Sequence, residues 1–246
     1  MKINYSDISK TYDNYRSYED MQVQSLIRFG DLKDGMKILD VGCGTGNLSA
    51  KLKEYIKVTS IGIDKSFGML KKSRAKALDV LCADVERELP FSDQTFEAVV
   101  GTYFLHYIQH MQNLISDCFR ILRNNGSIVF LTSSHEQIEQ LHPVMKEFFP
   151  SLIERDKERF PDLPELDICL KTAGFNNIKY EDLTIDKIPI DVSYLEKVKN
   201  RFVSTFYLLS EEEFNRGIEK LEEYISNCKR PEYREWCGTM IFGEKS

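Results

Sequence analysis

The chain has 246 residues, 33 Lys and Arg against 39 Asp and Glu for a net charge of −6, and is 42% hydrophobic and 29% charged. That apolar content can bury a full α/β core, and the acidic balance argues against a nucleic-acid or anionic-membrane binder, which needs a basic face. No apolar run approaches the roughly 20 residues of a membrane span, the opening residues are too polar for a signal peptide, and six scattered cysteines without a Cys-x-x-Cys pair fit reduced cytoplasmic thiols better than a metal or redox site.

Residues 1–30 carry Tyr5, Tyr12, Tyr15 and Tyr18 ahead of an amphipathic helix expected from Glu19 to Phe29. This segment is expected to form a helical lid. Its tyrosines either pack the helix on the body or stack over a ligand, with Tyr12 the one set to touch it.

Next comes a short apolar run, Ile38 to Val41, interrupted only by Asp40. It leads straight into Gly42-Cys43-Gly44-Thr45-Gly46 and then a helix-spaced stretch from Asn47 to Tyr55. Strand, glycine turn and helix start together bring bare backbone N–H groups and the positive end of a helix dipole up to a ligand. The spacing is Gly-x-Gly-x-Gly, with Asn47 where a dinucleotide fingerprint requires its last glycine. A nicotinamide-dependent oxidoreductase is therefore disfavoured, although it would share the rest of the unit.

A second parallel strand, Val58 to Ile63, ends at Asp64, eighteen residues beyond Gly46. A carboxylate there can accept both hydroxyls of a ribose. A helix follows to about Ala77, with Met69 placed either to pack on a base or to serve as plain core. Val80 to Val85 reads as a third strand containing Asp84, whose side chain and the next backbone N–H could read an adenine edge. Phe96 to Val100 is a fourth strand, apolar enough for burial on both faces. It runs into Tyr103, Phe104, His106 and Tyr107, which should line a cleft at the carboxyl ends of the strands.

A helix from Met111 to Arg123 and a fifth strand, Ser127 to Thr132, continue the alternation, which argues for a doubly wound, mostly parallel sheet. His135 follows the fifth strand. Further on, a helix over Glu165–Ala173 capped by Gly174 leads into a strand over Asn176–Leu183. Ser210 to Glu213 is a capping box that opens a helix to about Ser226. A final strand over Gly238–Gly243 could close the sheet edge. The expected organisation is a lid over 1–30, an α/β domain over 31–185 and 236–246, and a helical insertion over 186–235. The insertion's Tyr194, Phe202, Phe206 and Tyr207 are expected to build mostly local core.

These segments resemble the class I S-adenosylmethionine (SAM)-dependent methyltransferases, in particular the ubiquinone- and menaquinone-biosynthesis and related small-molecule branch. The resemblance rests on Ile38–Gly46, Ile61–Ser66, Cys82–Asp84, Leu89–Phe91, Phe96–Val100 and Phe119–Leu122, in the expected order. It implies a seven-stranded Rossmann-like sheet and the cofactor SAM, with S-adenosylhomocysteine as product. The glycine loop, Gly42, Cys43, Gly44 and Gly46, would hold the methionine part, Asp64 the ribose, and Asp84 with Val85 the adenine, with Asp40 and Lys65 also in the cofactor site. Met69, Tyr103 and Tyr12 would complete the cofactor site, and no metal is implied. Tyr103, His106, Tyr107 and His135 would face a small-molecule substrate. His106 is the candidate base, because an imidazole with an ordinary pKa near 6.5 can take a proton at neutral pH. A SAM-binding regulator or partner subunit without catalysis would carry the same cofactor residues.

Overall fold

A computed structural model describes residues 12–15 and 18–246. The expected lid therefore lies partly outside the described residues, Tyr5 included. A seven-stranded sheet forms the centre: β1 (Lys37–Val41), β2 (Thr59–Asp64), β3 (Asp79–Cys82), β4 (Phe96–Thr102), β5 (Leu122–Thr132), β6 (Phe175–Pro189) and β7 (Tyr233–Lys245). Their spatial order is β3-β2-β1-β4-β5-β7-β6. The first five are parallel, and β7 runs antiparallel to both of its neighbours.

The chain winds outward from β1 to β3 and then returns to lay β4 on the other side of β1. That reversal opens a crevice at the carboxyl ends of β1 and β4, the natural ligand position in an open α/β sheet. The glycine loop follows β1 and the Tyr103–Tyr107 segment follows β4, so the winding itself brings the two together.

Helices cover both faces. On one face, α1 (Asp20–Phe29) and α2 (Asn47–Tyr55) bury Val23, Leu26, Leu48 and Leu52 against Ile38, Val100, Val129 and Met240. On the other, α3 (Met111–Ile121) and α4 (Leu163–Ala173) bury Ile115, Cys118, Leu166 and Leu170 against Leu39, Val99, Phe130 and Ile241. Each aliphatic side chain so buried contributes about 1.5–3 kcal/mol. Gly174 ends α4 at φ 104°, a left-handed conformation that glycine adopts without strain.

Four elements depart from expectation, the first being β5, which begins at Leu122 rather than Ser127 because Leu122 pairs with Phe96 directly after α3 ends at Ile121. β7 does not close the edge; it lies between β5 and β6, leaving β6 outermost. Burial explains the choice, because Met240, Ile241 and Phe242 are inaccessible on both faces whereas β6 is largely exposed along its length. β6 also runs to Pro189, because β7 offers it a partner as far as Tyr233. β3 stops at Cys82, since Asp84 turns the chain by accepting the Glu86 N–H on its own side chain.

The stretch joining β6 to β7 contains α5 (Val192–Lys199), a 3₁₀ turn over Ser204–Leu208, and α6 (Glu211–Asn227), with Ser210 accepting the Glu213 N–H as its cap. Tyr194, Phe202 and Phe206 build a core there, joined by Met145, Phe149 and Leu152 from two short helices, Pro143–Phe148 and Ser151–Lys157. Residues 143–157 thus pack with the insertion. None of the described helices is long and apolar enough to cross a membrane.

Candidate functional site

Gly42, Gly44 and Gly46 all hold positive φ, at 66°, 54° and 77°. Their surroundings differ. A Cβ on Gly42 would meet Phe104 at 2.6 Å, and one on Gly46 would collide with Ser73 and Leu78. A Cβ on Gly44 would meet nothing within 4 Å, so this glycine leaves its backbone bare to the cavity. Gly46 is the left-handed N-cap of α2, aiming the helix's free N–H groups along the loop.

Asp64 is fastened to this cradle. Its Oδ2 accepts the Gly44 N–H at 2.9 Å and its Oδ1 the Ser66 N–H at 2.7 Å. Burial raises its pKa, and those backbone donors restrain the rise. A carboxylate offers about four acceptor sites, so two remain for a ligand. Asp40 lies beneath the loop, accepting the Ser49 hydroxyl at 2.7 Å. Burial lifts its pKa to about 7, with the Ser49 bond opposing the rise and the charge of Asp64 adding to it.

A cavity of about 610 Å³ opens over the loop. Its lining unites Tyr12, Gly42, Gly44, Asp64, Lys65, Met69, Asp84, Val85, Tyr103, His106 and Tyr107, eleven of the expected site residues. A smaller cavity of about 180 Å³ adjoins it, reached by Asp40, Cys43 and again Gly42 and Gly44. The Cys43 thiol itself packs against Gly62, and burial pushes its pKa up.

Two expected residues stand apart from both cavities. Gly46 serves the turn and helix cap. His135, expected beside the substrate, instead places Nε2 2.9 Å from the Phe160 carbonyl oxygen and Nδ1 3.9 Å from Asp162. The cause is local. Ser134 and Gln137 form a reciprocal cap, with Ser134 Oγ accepting the Gln137 N–H and Gln137 Oε1 accepting the Ser134 N–H. That helix start presents Gln137 and Ile138 to the cavity in place of His135.

His106 sits in a 3₁₀ turn, 9% exposed, with its ring stacked on Phe160 at 4.4 Å and tilted against Tyr107 at 3.9 Å. Tyr107 donates its hydroxyl to Ser204 at 3.1 Å, and Arg159 donates to Ser204 and Thr205, both at 3.0 Å. The guanidinium of Arg159 also lies 5.5 Å over the Tyr107 ring. Tyr103 holds φ at 51°, unusual for a residue with a Cβ, and meets Trp236 edge-on at 6.2 Å. The far wall thus comes from Phe160, Ser204, Thr205 and Trp236, which the sequence reading did not single out; no motif marks them, and only their aromatic and hydroxyl character could have.

Opposite the cavity, Asp13 accepts the Thr45 hydroxyl at 2.6 Å and the Asn47 amide at 3.2 Å, and pairs with Lys76 at 3.2 Å. The short helix Tyr12–Tyr15 is thereby pinned to the rim of the glycine loop, which sets Tyr12 at the cavity.

The bare Gly44 backbone beside an anchored carboxylate suits a ligand that carries a sugar and a polar tail. Residues 39–130 match the family model described as a methyltransferase domain. A demethylmenaquinone methyltransferase of Staphylococcus aureus (strain JH9) is 27% identical over 221 residues, spanning 78% of this chain and 92% of that protein. A crystal structure assigned to methyl transfer in an antibiotic biosynthesis pathway of Anabaena variabilis superposes with a TM-score of 0.74 at 21% identity, covering 93% of this chain and 98% of that one. The Haemonchus contortus phosphoethanolamine N-methyltransferase 2, solved with S-adenosylhomocysteine, superposes at a TM-score of 0.62 and 17% identity over 98% of this chain and 57% of its own. With its sheet order, glycine cradle and strand-end acids, the chain carries a methyltransferase domain over residues 39–130 and is a SAM-dependent methyltransferase that acts on a small molecule.

Proposed function

We propose that the acceptor is a small, flat, conjugated molecule methylated at an acidic O–H or C–H position, with His106 taking the proton. One observation carries this reading: a single cavity joins Gly44, Asp64 and Asp84 to a wall of Tyr103, His106, Tyr107, Phe160 and Trp236. Flat rings suit such a wall, since stacked and edge-on contacts add about 0.5–1.5 kcal/mol beyond area burial. The S. aureus relative is named for demethylmenaquinone, so an acceptor of that class is the first to test.

When bound, SAM supplies an electrophilic methyl on a sulfonium that is already a good leaving group. The chain's own contribution is alignment and exclusion of water. Asp64 is the acceptor for the ribose hydroxyls, Lys65 flanks it, and Asp84 with the Val85 N–H faces the adenine. Met69, 3% exposed, gives the base an apolar floor. Gly42 and Gly44 let the backbone approach the sulfur-bearing chain. Tyr12 and Tyr103 cover it. Tyr107 and the Arg159-held Ser204–Thr205 turn position the acceptor, and His106, clamped by Phe160, abstracts its proton. Residues 31–185 and 236–246 act as the cofactor domain, and residues 186–235 as the acceptor side.

Incubating the chain with methyl-labelled SAM and a panel of quinols, phenols and aliphatic amines tests the reading. Label should pass to the conjugated hydroxyl compounds and fall about a hundredfold in His106→Ala. Transfer to amines alone, or an unimpaired His106→Ala, would overturn it.

A further inference from the structure

Among the described residues, the lysines and arginines that line the larger cavity are Lys65, Arg201 and Arg234. Their charges are balanced differently. Lys65 is exposed beside Asp64, and its charge favours the ionised form of that carboxylate. Arg201 donates to both oxygens of Glu211 and to the Phe206 carbonyl, all at 2.7 Å. Arg234, at the start of β7, donates Nη1 to the Tyr194 hydroxyl at 2.9 Å and lies 5.6 Å over the Trp236 ring. Both partners are neutral, and Arg234 forms no salt bridge among the described residues.

The acids nearest to it along the chain are engaged elsewhere. Glu232 lies 3.2 Å from His142 Nε2, and Glu235 pairs at 3.6 Å with Lys187, its partner across the β6–β7 ladder. Successive strand residues point to opposite faces, so Glu235 turns away from Arg234. Of the cavity's other acids, Asp156 accepts the Thr205 hydroxyl, Glu86 accepts the Gln109 and His110 N–H groups, and Asp64 and Asp84 belong to the adenosine end. An unmatched cation on a largely aromatic wall attracts an anion strongly, because little water screens it there.

Arg234 is also held in place. Tyr194 is fully buried, its ring meets Phe202 at 5.9 Å, and Phe202 in turn meets Trp236 at 6.1 Å. A guanidinium moored by one nitrogen and laid over an indole keeps its remaining N–H donors for a ligand and has little rotamer freedom left to lose. Trp236 faces Tyr103, so this charge stands on the acceptor wall.

We propose that Arg234 binds a carboxylate carried by the methyl acceptor, so that the protein selects a conjugated acid over its neutral counterpart. A carboxylate matches both the guanidinium's paired donors and its single charge, whereas a phosphate ester, close to doubly charged at neutral pH, would leave charge unmatched. The proposal rests on the reading of the Tyr103–Trp236 wall as the acceptor side and names the chemical class that wall takes.

Titration calorimetry on the full chain saturated with S-adenosylhomocysteine tests it with two acid–amide pairs of different reach: 4-hydroxybenzoate with 4-hydroxybenzamide, and 4-hydroxycinnamate with 4-hydroxycinnamamide. Ring and hydroxyl are the same within a pair, and only the charge differs. At least one acid should bind about tenfold tighter than its amide. Arg234→Gln should bring that ratio to about one while holding the amide within about twofold, and Arg234→Lys, which keeps the charge but not the fork, should retain part of it. A wild-type ratio near one for both pairs, no binding by any probe, or a ratio that survives Arg234→Gln would overturn the proposal. Equal loss of acid and amide in the variant marks a structural role and overturns it too. S-adenosylhomocysteine is titrated first: a chain that does not take it brings down the SAM reading, and the acid–amide ratio on the bare chain still decides on Arg234. Acids that bind through Arg234 yet receive no label in the transfer assay would sink the proposed methylation alone.

Discussion

Asp64 accepts the backbone N–H of Gly44 at 2.9 Å, so a single carboxylate both faces the large cavity and ties the end of β2 to the loop after β1. Shape and affinity at this site are therefore coupled. Whatever disturbs the acid also loosens the cradle.

Replacing Asp64 with Ala should raise the dissociation constant of S-adenosylhomocysteine by about thirtyfold or more, since hydrogen bonds to charged groups are worth about 1.5–3 kcal/mol each. The ligand-free melting temperature should also fall, because the Gly44 and Ser66 N–H groups lose their acceptor. Calorimetry and a thermal melt read the two effects separately. Unaltered affinity would remove Asp64 from the site.

Two glycines of one loop should fail in different ways. Gly44→Ala pushes a methyl group into open cavity at φ 54°, where a left-handed alanine costs about 1–2 kcal/mol. Gly46→Ala drives its methyl into Ser73 and Leu78 as well, adding overpacking of about 1–3 kcal/mol. Melts with and without S-adenosylhomocysteine should show Gly44→Ala folded but poor at binding, and Gly46→Ala with the larger loss of stability.

The Asp13 clamp has a pH signature. Burial works to raise the Asp13 pKa, but the Thr45 hydroxyl and the charge of Lys76 outweigh it and hold it below its ordinary value. Its contribution to stability is thus present above the unfolded pKa and lost as pH falls through the folded one. A double-mutant cycle of Asp13→Asn with Lys76→Met should give a coupling of about 0.5 kcal/mol at neutral pH, modest because both side chains are partly exposed. The coupling should vanish in acid. Persistence at low pH would show that it does not arise from charge.

Asp40 works with the opposite sign. Its folded pKa of about 7 lies above the ordinary 3.8, so the folded chain binds a proton that the unfolded chain has released. Stability from this group is fully present below about pH 4 and drains away as pH rises toward 7, on the order of 4 kcal/mol across that window. Asp40→Asn abolishes the dependence. Its stability relative to wild type should improve from about pH 4 to pH 7 and level off above that in denaturant titrations, and a flat difference across the window would refute the assignment.

The parallel half of the fold was legible because its signals are local. The apolar run Ile38–Val41 followed by glycines at 42, 44 and 46 reads as strand and turn, and Asn47–Tyr55 came out at its predicted bounds. Asp64 and Asp84 were legible for the same reason, since each follows a short apolar strand. The antiparallel end was not. Whether β7 or β6 occupies the edge depends on burial along whole strands, which separate segments do not reveal. His135 was misplaced because the cap between Ser134 and Gln137 sets a direction that proximity to the end of β5 does not. Arg159 meets Ser204, and Trp236 meets Tyr103, over long chain separations, through packing rather than pattern.

The insertion hangs from β6 and β7, a ribbon appended beyond the last parallel strand, and its core closes on residues 143–157 and on the ribbon's own Ile188 and Trp236 rather than on the parallel strands. Substitutions at Phe202, Ser204 or Trp236 can therefore redraw the far wall while β1, β2 and β4 keep their register. A scaffold hinged this way can trade one methyl acceptor for another over generations without relearning how to hold its donor.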